Sequence, residues 1–129
     1  MTADLSTLQA LLARVEGGAG EDRELDLDIA VHVAGLPRNW QGFQLARYTT
    51  SLDAAVALAE RRLPDWPWFL RRDDTDANGK RPAPVYNAAL LFPEAPRVTP
   101  GTAQCTSPAH ALVAAVLRAE IAKREAGND

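Results

Sequence analysis

Residues Ser107 to Ile121 constrain the fold more than any other stretch of this chain. Ser107 offers a hydroxyl to the unpaired N–H groups of a helix start, and Pro108 brings a backbone angle already set for the first helical position. Ala109, Leu112, Val113, Val116, Leu117 and Ile121 then recur at helical spacing as one apolar face, with Arg118, Glu120, Lys123 and Arg124 on the far face. A helix with so continuous a stripe needs other elements to cover it. A chain of 129 residues, 47% hydrophobic and 24% charged, is long enough to supply one core and falls outside the composition of disordered chains. Its one cysteine, Cys105, excludes an internal disulfide and a thiolate zinc cluster.

The cover can be read from the rest of the pattern. Leu5, Leu8, Leu11, Leu12 and Val15 after Asp4 predict a helix stopped at Gly17, Gly18 and Gly20. Leu25 to Val33 is ambiguous. Its alternation with Asp26, Asp28 and His32 favours a strand, whereas the four-residue step of Leu25, Ile29 and Val33 between the caps Asp22 and Gly35 favours a helix, the reading preferred here. A short strand is expected from about Phe43 to Tyr48. Thr50 or Ser51 caps a further helix bearing Leu52, Ala55, Val56 and Ala59, flanked by Leu58 and Leu63 and ended by Pro64. Trp68 to Arg72 and Val85 to Phe92 predict a hairpin joined through Asp73 to Pro84, and a third strand is expected near Arg97 to Gln104. The fold class expected is α+β, a small antiparallel sheet of about three strands with helices packed on it. One domain spans residues 1–129, with 124–129 a frayed tail.

Met1 to Leu12 lack the basic and apolar regions of a secretory signal, so they are expected to be the mature terminus. No apolar run approaches the ~20 residues that span a bilayer. A net charge of −3 with both signs interspersed counts modestly against non-specific nucleic-acid binding. These features point to a cytoplasmic protein without membrane contact.

Taken in order, TSLDAAVALAE at Thr50 to Glu60, the aromatic strand at Trp66 to Leu70, a second strand and TSPAHALVAAVLRA at Thr106 to Ala119 form a spaced pattern. The pattern resembles the phage ABA sandwich domain. The Leu-rich opening helix leading into GEDRELDLDIA at Gly20 to Ala30 is similar to the start of that family. What the resemblance implies is α/β/α layering in a phage or prophage protein acting in the host cytoplasm. It also implies a helix over Leu25 to Val33, and it brings no catalytic residues. The loop after Arg72 is longer than the family's.

Several motifs suggest chemistry and fall short of it. Asp74, Asp76, Asn78 and Gly79 match the first half of a calcium-binding EF-hand loop, but Val85 stands where the bidentate glutamate belongs and Pro82 and Pro84 stiffen the chain between. A hairpin connection needs the same Asx and Gly residues. Cys105 and His110 suggest a thiol nucleophile and base, yet no third orienting group is identifiable, so a structural role is favoured. His32 and His110 lack metal-ligand spacing. Asp26 and Asp28 point about 160° apart on a helix, which suits a solvated face better than an acid–base pair. No cofactor, metal or catalytic residue is expected.

Arg61, Arg62, Trp66, Trp68, Arg71 and Arg72, with Lys80 and Arg81 across the hairpin, make the strongest surface candidate. Arginine interleaved with tryptophan suits phosphates and stacked bases, although Asp65, Asp73, Asp74 and Asp76 dilute the charge. Three functions follow. The leading one is a non-enzymatic accessory or interaction domain with a protein partner or a second copy of itself. A nucleic-acid-binding module using the Arg/Trp patch is the alternative, and an enzyme using Cys105 stands last.

Overall fold

The computed structural model describes residues 4–18, 20–36, 45–73, 85–93, 103–105 and 107–125. The first helix, α1 (Leu5–Gly17), begins where the Asp4 carboxylate accepts the Thr7 N–H at 2.8 Å, and it buries Leu8, Leu11 and Val15. Gly18 follows because of a close approach: a Cβ there would stand 3.2 Å from His110 Nε2 and 3.3 Å from the Arg14 carbonyl.

The ambiguous segment is a helix, α2 (Arg23–His32), capped by the Asp22 carboxylate on the Leu25 N–H at 3.0 Å. Gly35 takes φ +80°, a conformation that costs a residue without a side chain little, and the Leu36 N–H turns back to the Ala30 carbonyl at 2.9 Å. The strand expected over Phe43 to Tyr48 does not form in its described part, 45–48. There the backbone is satisfied by α2 and by a turn instead of a ladder. Arg23 donates to the Leu45 carbonyl at 3.0 Å, and the Thr50 and Ser51 N–H groups both donate to the Arg47 carbonyl.

Ser51 caps α3 (Leu52–Arg62) through the Ala54 N–H. Its buried stripe is Ala55, Leu58, Ala59 and the following Leu63, a rotation from the expected one that leaves Leu52 exposed. Three strands follow: β1 (Trp68–Asp73), β2 (Val85–Leu90) and β3 (Ala103–Cys105), antiparallel throughout in the order β1-β2-β3. The hairpin register is Trp68 opposite Leu90, Leu70 opposite Ala88 and Arg72 opposite Tyr86. Of the expected third strand only its end belongs to β3, and residues 97–102 lie outside the described residues, as does the Asp74 to Gly79 motif.

The last helix, α4 (Pro108–Glu125), is buried on every side from Ala109 to Leu117 and again at Ala119, Glu120 and Ile121. The expected far face therefore has to be corrected at Glu120. Ala111, Ala114, Ala115 and Ala119 are all buried, and their small side chains let neighbours close on the helix. Those neighbours are α1 and α3 on one side and the sheet on the other, with α2 beyond α1. The α+β class and the three-stranded antiparallel sheet are as expected. Among the described elements, however, the layers run sheet, α4, outer helices, and no helix lies on the sheet's far face. Arg124 and Glu125, assigned to a frayed tail, continue α4, because Arg124 donates to the Glu120 carboxylate at 2.8 Å one turn back.

Candidate interaction surface

The first strand occupies one edge of the sheet and the margin of what α4 covers. Trp68, Leu70 and Arg72 share the helix-side face with the core residues Leu90 and Ala88, while Phe69 and Arg71 share the other face with Ala89 and Asn87. Leu70 packs on the core. Trp68, beyond the reach of α4, remains 36% exposed, and Phe69 is 46% exposed. Two consecutive large aromatics thus stand in solvent on the two faces of an edge strand, an arrangement that proteins usually avoid or use.

The ladder also shows which way the backbone of β1 faces. The Leu91 N–H donates to the Pro67 carbonyl at 2.9 Å, so residues 67 and 91 form a hydrogen-bonded pair. Such pairs alternate along an antiparallel ladder, which makes Phe69/Ala89 and Arg71/Asn87 the next ones and turns the backbone of Trp68, Leu70 and Arg72 toward the outer edge. Among the described residues no strand lies on that edge.

The described members of the arginine–tryptophan run divide between this strand and a groove. Arg62, Pro64, Trp66, Phe92, Pro93 and Lys123 line a groove of about 630 Å³ where α3 meets the end of α4. Within it Trp66 packs against Phe92, ring centroids 4.8 Å apart and tilted by 48°. Arg62 donates to both oxygens of Glu120, at 3.3 and 3.4 Å, so part of its charge is spent inside the fold. Arg61 is exposed on the last turn of α3, Arg71 and Arg72 are exposed on opposite faces of β1, and Lys80 and Arg81 lie outside the described residues.

The titratable candidates are mostly absorbed by packing. Cys105 is buried in β3 facing the core, and burial, reinforced by the negative charge of Glu16 and opposed by Arg118, pushes its thiol up to about 11. Among the described residues neither ring nitrogen of His110 has a hydrogen-bond partner, so the imagined Cys105–His110 pair is not made. Burial also lowers the His110 pKa. Among the described residues, no three His, Cys, Asp or Glu side chains converge on a common point. Asp28 pairs with Arg14 at 2.6 Å near the surface.

The solvated face expected at Asp26 has to be corrected. This carboxylate is fully buried and accepts the Thr49 N–H at 2.8 Å and Arg23 at 2.7 Å, tying the 45–50 segment to α2. The sequence carries a sign of Glu120, in the four-residue spacing to Arg124, but none of Asp26's contact with residue 49, which is purely tertiary.

Compared with family models, with curated proteins and with solved structures, the chain matches none. No helix among the described residues is long and apolar enough to cross a membrane.

Proposed function

We propose that this chain is a non-enzymatic protein-interaction domain whose contact surface is the outer strand β1. The observation that carries the reading is the adjacent exposure of Trp68 and Phe69 on a sheet edge. Aromatic side chains are strong interface anchors, since they bring large apolar area at low entropic cost. The protonated, buried Cys105 thiol supports the same reading by removing the thiolate that a cysteine nucleophile needs near neutral pH. A phage or prophage setting in the host cytoplasm belongs to this proposal only through the segment order that resembles the phage ABA sandwich domain.

The test is a photo-reactive phenylalanine analogue placed at Phe69, with a second at Glu60, an exposed position on α3, as control. On irradiation in host lysate, position 69 is expected to cross-link to protein, nuclease treatment leaving the product unchanged, while position 60 gives none. Absence of a product at 69 would refute the reading. A nuclease-sensitive adduct would replace it with nucleic-acid binding by Arg71, Arg72 and Trp68.

A further inference from the structure

We infer that β1 pairs antiparallel with β1 of a second copy of this chain across a two-fold axis at Leu70, joining two three-stranded sheets into one. The inference rests on β1 being the contact surface and adds both the occupant and the register. A two-fold axis perpendicular to the sheet keeps like faces together, so a residue can stand opposite only residues of its own face. One residue must then stand opposite its own copy across the axis, and the middle of the exposed segment offers Phe69, Leu70 and Arg71.

The outward-facing backbone of Trp68, Leu70 and Arg72 permits a ladder about any of these three centres, and the side chains select Leu70. Its backbone faces the outer edge, so a Leu70 centre makes a hydrogen-bonded pair at the axis, each copy donating one N–H and accepting one. Trp68 and the partner's Arg72 follow in the same hydrogen-bonding phase. The missing N–H of Pro67 faces β2 and leaves the seam uninterrupted. The feature that decides is the sequence itself, Trp68-Phe69-Leu70-Arg71-Arg72, two aromatics and two cations arranged about a central leucine. Pairing about Leu70 sets Trp68 opposite the partner's Arg72 on the helix-side face and Phe69 opposite the partner's Arg71 on the other. Each guanidinium then meets an aromatic ring. An Arg71 centre would oppose two arginines directly, and a Phe69 centre would carry Arg71 beyond the strand to the partner's Pro67. The chemistry of the strand thus suits its own inverted copy.

Sedimentation of the wild-type chain from micromolar to several hundred micromolar is expected to show a monomer–dimer equilibrium. Phe69→Lys, which puts two cations opposite each other twice per dimer at an already exposed position, should weaken it about tenfold. Adding Arg71→Glu to that variant should restore it. Register is read by single cysteines at 69, 70 or 71 in a Cys105→Ala background. Under mild oxidation, Leu70→Cys should give the covalent dimer, because a directly opposed pair lies within disulfide reach. A wild-type monomer throughout the range, or bridging at 69 or 71 in preference to 70, overturns the inference. If the chain is a monomer but the analogue at 69 still cross-links to another protein, self-pairing fails and the interaction-domain reading stands. If both fail, so does that reading.

Discussion

His110→Leu should make this protein more stable, and increasingly so in acid. His110 is 1% exposed in the first turn of α4, with neither Nδ1 nor Nε2 hydrogen-bonded among the described residues. A buried polar atom that leaves water without a new partner costs about 1–3 kcal/mol, whereas leucine fills a similar volume with no such atom. The expected gain at pH 7.5 is about 1–2 kcal/mol. Burial holds the imidazole pKa below its ordinary 6.5, opposed in part by Asp26 and then Asp22. Above 6.5 the imidazole is neutral whether the chain is folded or not. Below 6.5 the unfolded chain takes up a proton that the folded chain resists, so native stability falls as the pH falls. One such proton can remove at most about 2 kcal/mol between pH 7.5 and 5.0. Urea melts of the two proteins at both values check this. The advantage of His110→Leu should widen by up to that amount at pH 5.0, while His110→Gln, which keeps a buried amide, should gain little. A leucine variant less stable at pH 7.5, or a difference independent of pH, would refute the reasoning.

Glu120→Ala leaves Arg62 and Arg124 without the carboxylate they share, at 2% exposure, and should cost about 3–5 kcal/mol in urea melts; a loss under about 1 kcal/mol would mean the three groups are solvated. Asp26→Ala removes the acceptor of the Thr49 N–H and the partner of Arg23, with an expected loss of about 2–4 kcal/mol and faster hydrogen exchange at Thr49; unchanged exchange there would separate the carboxylate from the loop. With its pKa at about 11, roughly one Cys105 thiol in a thousand is ionised at pH 8, so alkylation of the native protein should be slow and accelerate on unfolding; prompt stoichiometric modification would contradict the burial described.

Local signals carried much of the architecture. The caps Asp4, Asp22 and Ser51 could be recognised because a capping side chain and the N–H it accepts are three residues apart in the chain. The hairpin of β1 and β2 was legible from aromatic and apolar runs around a turn-rich stretch. The all-round burial of α4 was not, because alanine is small enough to serve on either a buried or an exposed face and only the neighbours decide which. For the same reason Glu120 read as a solvent-facing charge, although α3 delivers Arg62 to it across 58 positions of sequence. Half of the candidate surface was legible: Trp68 stood out as an aromatic beside arginines. Phe69 escaped notice because whether a strand aromatic is covered depends on where the packing helix lies.

That placement links the stability of the fold to its exposed strand. A helix is about 10 Å across, and strands lie about 4.8 Å apart, so one helix shields roughly two strands of a sheet. Here α4 is the only described helix that lies on the sheet, because α1 and α3 are occupied in covering its opposite side. With α4 centred on β2 and β3, β1 is left at the margin, and its helix-side aromatic, Trp68, cannot be fully covered however well the core packs. Ala88 and Ala103 are buried small residues on the helix side of the sheet, so a larger side chain at either would push α4 away from β2 and β3 and loosen the centre of the fold. The exposed aromatic edge is therefore a consequence of the layer order itself. A strand laid along β1 would extend both faces of the sheet, covering Trp68 on the side that α4 leaves open and Phe69 on the other.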